Sequence, residues 1–171
     1  MPPTYRLVEA VTPAQFEAAR ALIEEYAAQI RSSMGIDLCF QNLNSELAQL
    51  PDMYGPPTGC LLLAGSDGGW VGCCALRRLA DGVCEMKRLY INPAARGAHL
   101  GQRLTGLLIS KARALGYRRM VLDTLKEMTA ARTLYGSLGF RQIEPYYLNP
   151  TAGVTYMELD LGTAQPTAPR S

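Results

Sequence analysis

The pattern of apolar and polar residues predicts an alternation of strands and helices along the chain. Two long stretches, 13–31 and 100–115, place apolar residues three or four positions apart, which is the spacing of an amphipathic helix. The same spacing predicts a shorter helix over 129–138, and a further helix is expected over 44–52. Short apolar runs bounded by turn residues are typical of strands. These runs are 5–10, 60–65, 69–79, 82–91, 118–125 and 154–161.

Residues at the ends of these stretches support the helix predictions. Thr12 is expected to cap the first helix, with Pro13 at the first helical position, where its missing N–H costs nothing. Asn44 or Ser45 is expected to cap the second helix, and Pro51 to mark its limit.

The order of the elements predicts a mixed sheet. The turn sequences "SDGG" and "ADG" separate the runs 60–65, 69–79 and 82–91, which indicates an antiparallel meander. The strand–loop–helix–strand order over 83–125 requires a crossover between parallel strands. Helices are therefore expected on both faces of the sheet.

Composition indicates one globular domain and argues against some classes of partner. A chain of 171 residues with 48% hydrophobic and 19% charged residues fits one globular domain, here 1–161. Residues 162–171 are rich in Pro, Thr, Ala and Ser, and are interpreted as a loose C-terminal tail. A net charge of +2 argues against nucleic acid or a membrane surface as a partner, so an anionic ligand would need a local site. Whether the chain is a monomer or a homodimer is left open.

Cysteine usage and hydropathy indicate a cytoplasmic protein. There is no C-x-x-C pair and only one histidine, so no metal site is expected. Buried reduced thiols are expected instead, in a reducing compartment. The N-terminus has no apolar signal segment, and no apolar run approaches the length of a membrane span. The cysteines are Cys39, Cys60, Cys73, Cys74 and Cys84.

The segment "NPAARGAHLGQRL", residues 92–104, predicts an anion site. A helix N-terminus carries unpaired N–H groups and a partial positive charge, and glycines before it let a ligand approach the backbone. A phosphate or pyrophosphate suits such a site, and Arg96 adds a fixed charge. The segment is neither the dinucleotide fingerprint nor a P-loop.

Two motifs in this region resemble those of the GNAT N-acetyltransferase superfamily. Its acyl-CoA motif, R/Q-x-x-G-x-G/A, is matched over 96–101 except at His99, where the family usually has glycine. The second motif, A-x-x-L-Y-x-x-x-G-F, is matched in full over 131–140. The resemblance covers about residues 5–161 in element order and implies an α/β (α+β) fold. Its sheet would be mixed and mostly antiparallel, of about six to seven strands with a central parallel pair.

The resemblance also implies acetyl-CoA as co-substrate, without a metal. Free backbone groups of the strand before the glycine-rich turn would bond the pantetheine arm, and the N–H groups of the turn would bind the pyrophosphate. Carried over to this chain, the strand residues are Leu89, Tyr90 and Ile91. The turn residues are Arg96, Gly97, Ala98, His99, Leu100, Gly101 and Gln102.

The same resemblance points to two candidate catalytic residues. Tyr135 would act as general acid near the CoA sulfur; the alternative is a tyrosine that packs its ring and makes one hydrogen bond. Glu85 would act as general base; the alternative is a carboxylate paired with Lys87 or Arg88 across solvent.

The resemblance also implies roles for Leu89, Tyr146 and Tyr147. The backbone N–H of Leu89 or a neighbour would stabilise the developing negative charge. Tyr146 and Tyr147 follow the second motif, where the family often forms its acceptor pocket, and packing alone would also explain them.

His99 raises a separate question, because it replaces a glycine of the motif. We expect it to adopt a negative φ and to contribute its backbone N–H to phosphate binding. Its imidazole is expected to face either solvent or the CoA phosphates.

The sequence thus predicts an enzyme that transfers an acyl group from acyl-CoA to an amine. The favoured reaction is acetyl transfer from acetyl-CoA to the primary amine of a small molecule or peptide. The alternatives are a binding module that holds acyl-CoA without turnover, as a sensor or interaction subunit, and a purely structural domain.

Overall fold

A computed structural model describes residues 1–38 and 42–162 as seven strands and five helices, with a short 3-10 turn at Pro93–Ala95. The strands are β1 (Arg6–Glu9), β2 (Cys60–Ser66), β3 (Gly69–Ala80), β4 (Val83–Ile91), β5 (Arg119–Leu125), β6 (Arg141–Ile143) and β7 (Val154–Asp160). The helices are α1 (Pro13–Met34), α2 (Leu43–Ala48), α3 (Leu50–Tyr54), α4 (Leu100–Ala114) and α5 (Thr129–Ser137).

The strands form one mixed sheet in the order β1-β2-β3-β4-β5-β7-β6. Every neighbouring pair is antiparallel except β4 and β5, which are parallel and joined through α4. The predicted fold class, meander and crossover are confirmed.

Two hydrophobic clusters cover the two faces of the sheet. Along β2, Leu62 packs in the cluster that contains α4, and its neighbour Leu63 packs in the cluster that contains α1. This alternation follows from the period of two in a strand, and it lets a single strand contribute to both clusters.

The first helix begins as predicted: Thr12 Oγ1 accepts from the Gln15 N–H at 3.2 Å, and Gln15 Oε1 accepts from the Thr12 N–H at 3.0 Å.

Two local predictions need correction. The helix expected over 44–52 is two short helices, and Asn42, not Asn44 or Ser45, precedes the first of them. Pro51 lies in the first turn of α3 instead of ending a helix, since a first-turn N–H has no intrahelical partner to lose. Strand β6 was not predicted, because three residues carry no readable alternation.

The described cysteines are buried free thiols, as expected: Cys60, Cys73, Cys74 and Cys84. Burial raises the pKa of three of them, Cys60, Cys73 and Cys84, to about 12, so these thiols keep their protons near neutral pH. Cys39 and tail residues 163–171 lie outside the described residues.

None of the described helices is both long and apolar enough to cross a membrane. The cytoplasmic location stays a prediction.

Candidate active site

The parallel pair at the centre of the sheet separates after three residues. β4 and β5 pair only from Val83 to Glu85, opposite 119–121. Beyond this point β4 keeps its partner β3 and β5 keeps its partner β7, but the two strands no longer bond each other. A gap therefore opens in the sheet, and its β4 edge includes the predicted pantetheine-binding residues 89–91.

A β-bulge lies in β4 at the edge of this gap. Lys87 pairs with Ala75 and Tyr90 pairs with Cys73, so Arg88 and Leu89 together face one residue of β3. Arg88 has φ +59°, in the left-handed region. A bulge bends its strand and leaves a residue without a partner in the ladder, and the role of the Leu89 N–H stays a prediction.

Arg88 is held in this conformation by a buried ion pair with α2. Its Nε donates to Glu46 Oε1 at 2.9 Å and its terminal nitrogen donates to Oε2 at 2.7 Å, while the Tyr54 hydroxyl donates to Oε1 at 2.7 Å. All three side chains are buried. Burial raises the pKa of the Glu46 carboxyl, but the Arg88 guanidinium outweighs burial and brings that pKa below its ordinary value. The pair thus counters the cost of a left-handed arginine.

A cavity, here called the Tyr135 cavity, fills the gap between the two strands. It is lined by residues of β4, β5, α1 and α5, among them Lys87, Leu89, Asp123 and Tyr135. The Tyr135 ring packs on Phe140 with centroids 5.6 Å apart. Its hydroxyl makes no hydrogen bond within residues 1–38 and 42–162, although the packing alternative requires one. Burial raises the pKa of Tyr135 well above its ordinary value, so the phenol keeps its proton.

A groove of about 540 Å³ adjoins the Tyr135 cavity and follows the β4 edge; we call it the Arg96 groove. It contains the predicted strand residues Leu89, Tyr90 and Ile91, and it reaches Arg96 and Gly101 at the start of α4. A recess at its end is lined by Gly97, His99 and Leu100 as well. Ala98 and Gln102, which were also predicted to bind the pyrophosphate, line neither the groove nor the recess: Ala98 packs on the core and Gln102 is exposed. For those two, only a backbone contact remains as a prediction.

The glycine-rich turn has left-handed residues at two positions, Gly97 with φ +88° and His99 with φ +55°. The expected negative φ of His99 is therefore wrong. His99 immediately precedes α4, where the chain must change direction into the helix, and a left-handed residue makes that turn. Histidine is one of the few residues besides glycine enriched in this region. Its side chain is exposed and does not cap the helix.

The positive φ of His99 predicts that replacing this residue with glycine stabilises the protein. We expect His99→Gly to raise the free energy of unfolding by up to about 1 kcal/mol, since glycine adopts φ > 0 without a Cβ clash. His99→Val should lower it, because a β-branched residue is a true outlier there. Urea denaturation measures both changes. Gln102→Gly in the first turn of α4 is the control and should be destabilising; equal effects of glycine at 99 and 102 would contradict the argument.

A second cavity, of about 410 Å³, lies beside the paired segment of β4 and is called the Glu85 cavity. Glu85 is buried; Arg77 Nε donates to its Oε1 at 2.8 Å and the Tyr146 hydroxyl donates to its Oε2 at 2.6 Å. The cavity is lined by Asn42, Arg77, Leu79, Glu85, Lys87, Tyr146, Tyr147 and Leu148.

The solvent-exposed alternative for Glu85 is thus wrong. Its ionic partner is neither Lys87 nor Arg88 but Arg77, which lies directly opposite on β3. Cross-strand neighbours on one face of a sheet are close enough to pair, and Arg88 is already bound to Glu46.

Tyr146 and Tyr147 do more than pack. While Tyr146 binds Glu85, the Tyr147 hydroxyl donates to Asp123 Oδ2, which also accepts from Asn149 Nδ2 at 3.1 Å. Sequence reasoning missed Asp123, although an aspartate within the apolar strand "RMVLDTL" is a signal for a partnered or functional carboxylate.

The two predicted catalytic residues open into adjoining cavities. Tyr135 lines the first cavity, Glu85 lines the second, and Lys87 lines both. Among the described residues, no group of three or more His, Cys, Asp or Glu side chains could hold a metal ion.

Comparison with known proteins identifies the family. The sequence profile described as the acetyltransferase (GNAT) family matches residues 18–140. An uncharacterised N-acetyltransferase of Schizosaccharomyces pombe is 42% identical over 151 residues, which cover 87% of this chain and 90% of that protein.

Solved structures share the fold of this chain. A GNAT-family acetyltransferase of Staphylococcus aureus superposes with a TM-score of 0.76 at 20% identity, over 92% of this chain and 99% of that one. An acetyltransferase of Salmonella typhimurium, solved with acetyl-CoA, gives 0.64 at 23% identity, over 98% of both chains. The chain therefore belongs to the GNAT family of acetyltransferases.

Proposed function

We propose that the protein transfers the acetyl group of acetyl-CoA directly to the primary amine of a small molecule or peptide. The observation that carries this proposal is the Tyr135 hydroxyl: it lines the gap between β4 and β5, keeps its proton and has no hydrogen-bond partner among the described residues. A hydroxyl left free in a cavity beside a bulged strand is suited to act on a ligand.

The Arg96 groove fits acetyl-CoA on three counts. The β4 edge is free of β5 beyond Glu85, so backbone groups there are available to an extended arm. Gly97 has a φ that favours glycine, and Gly101 opens onto the groove without a side chain. The exposed Arg96 supplies a positive charge beside the N-terminus of α4.

Acetyl-CoA supplies the acetyl group as a thioester, with the CoA thiolate as leaving group. A bond forms from the amine nitrogen to the acetyl carbon as the carbon–sulfur bond breaks. Glu85 takes the proton of the amine, directly or through water, since each of its oxygens accepts one hydrogen bond and has capacity for another. Tyr135 Oη gives its proton to the departing sulfur, and the Leu89 N–H stabilises the charge on the carbonyl oxygen.

The activity test is release of free thiol from acetyl-CoA in the presence of a panel of primary amines, with the acetylated product identified by mass spectrometry. We expect equal amounts of thiol and amide. Tight acetyl-CoA binding without turnover of any amine would contradict this proposal and favour the acyl-CoA sensor instead.

The coenzyme site is tested by Gly101→Val. A Cβ at position 101 would lie 3.6 Å from the nearest atom, Leu134 Cδ2, so the free protein accommodates it, but the side chain would project into the Arg96 groove. We expect acetyl-CoA affinity to fall at least about tenfold in calorimetry, about 1.4 kcal/mol. Gly106→Val in the same helix is the matched control, because nothing lies within 4 Å of a Cβ there. Equal affinities for the two variants would contradict the assigned groove.

A further inference from the structure

The described residues that line the Glu85 cavity include two positively charged side chains, Arg77 and Lys87, but a single carboxylate, Glu85. Arg77 and Glu85 form an ion pair whose Nε–Oε1 distance is 2.8 Å, and Tyr146 binds the second carboxylate oxygen. Lys87 lines the same cavity but makes no hydrogen bond or ion pair with any residue in 1–38 or 42–162. Among the described residues that line this cavity, Lys87 is therefore a positive charge without an ion pair.

Lys87 reaches this cavity because of its place in β4. It is two residues from Glu85, so both side chains project from the same face of the strand. The side chain is half-buried, and burial together with the neighbouring Arg88 charge lowers the pKa of Lys87. An ammonium in this setting would gain from an anion that accepts its hydrogen bonds.

The position of Lys87 also fixes where such an anion would bind. Lys87 is shared by the Glu85 cavity and the Tyr135 cavity. Asp123, a carboxylate that lines the Tyr135 cavity, already accepts from Tyr147 and Asn149. An anion on Lys87 would thus lie between the predicted base and the predicted acid.

We propose that the acceptor is an amine that also carries a carboxylate, an amino-acid-like compound whose carboxylate pairs with Lys87. This inference rests on the proposed acetyl transfer and names the chemical class of its acceptor. Bound there, the carboxylate directs the amine toward the thioester, and the rest of the acceptor contacts Leu79, Leu148 and the two tyrosines. A carboxylate fits better than a phosphate because its single charge matches that of Lys87, the one cation without an ion pair among the described residues that line the Glu85 cavity; Arg77 is already paired with Glu85.

The test compares matched acceptors with saturating acetyl-CoA. The panel contains α-amino acids, the amines formed by removing their carboxylate, and the corresponding aminoalkylphosphonates. We expect kcat/KM to favour the amino acid over its matched amine by roughly 10–100-fold, the size of a charge-assisted hydrogen bond. Lys87→Met should reduce this ratio by a similar factor. Lys126→Met is the control, because the mostly exposed Lys126 lines none of the cavities named above and should leave the ratio unchanged.

The outcomes separate this inference from the proposed function. Turnover of amines without preference for the carboxylate, or a preference unaffected by Lys87→Met, overturns the inference and leaves the transferase intact. Preference for the phosphonates overturns the assignment of a carboxylate. Absence of turnover with every acceptor overturns both proposals. Circular dichroism and acetyl-CoA calorimetry establish that the Lys87→Met protein is folded.

Discussion

Replacing Tyr135 with phenylalanine is expected to lower kcat by about 10²–10⁴-fold, the usual contribution of general acid catalysis. The ring would still pack against Phe140, and no hydrogen bond to a described residue would be lost, so the fold should be retained. Burial keeps the pKa of Tyr135 well above its ordinary value of 10.0. The wild-type kcat should therefore show no loss from ionisation of Tyr135 up to about pH 10. Steady-state kinetics over pH 6–10 measures both effects.

Tyr117→Phe is the matched control. The Tyr117 hydroxyl donates to the Thr58 carbonyl oxygen at 2.6 Å, away from the cavities that contain Tyr135 and Glu85. Its loss should leave kcat unchanged and cost about 1 kcal/mol of stability. A kcat for Tyr135→Phe within twofold of the wild type would mean that Tyr135 is a packing residue.

Breaking the ion pair beneath the bulge should have the largest effect on stability. We expect Glu46→Gln to lower the free energy of unfolding by about 3–5 kcal/mol, because it leaves the buried Arg88 guanidinium without a counter-charge. Urea denaturation measures this change. Glu17→Gln is the control: Glu17 pairs with Arg20 at 3.5 Å, its side chain is 70% exposed, and its loss should cost less than about 1 kcal/mol.

The same pair predicts a pH dependence with a definite sign. The pKa of Glu46 in the folded protein lies below its ordinary value of 4.5, which applies to the unfolded chain. Its contribution to stability is therefore complete above pH 4.5 and is lost as the pH falls through the folded value. The stability gap between wild type and Glu46→Gln should narrow below about pH 4. A gap that stays constant to pH 3 would show that the Glu46 charge is not what stabilises Arg88.

Much of the site was predictable because its signals are local. The turn over 96–101 and the motif over 131–140 each lie within ten residues, and the structure brings Arg96, Gly101 and Tyr135 to the walls of two cavities that share Leu89 in their lining. The partner of Glu85 was not predictable in the same way, because it depended on which β3 residue lies opposite in the register.

The sequence by itself determined the meander, the crossover and the start of α1, since these follow from the period of apolar residues and from turn and cap residues a few positions apart. Only the tertiary structure decided the bulge, its left-handed arginine and the ion pair that holds it. The residue type alone does not predict a positive φ for a particular arginine or histidine, as the wrong expectation for His99 demonstrates. The Glu46–Arg88 pair joins residues 42 positions apart, and such a contact exists only once α2 has packed on the sheet.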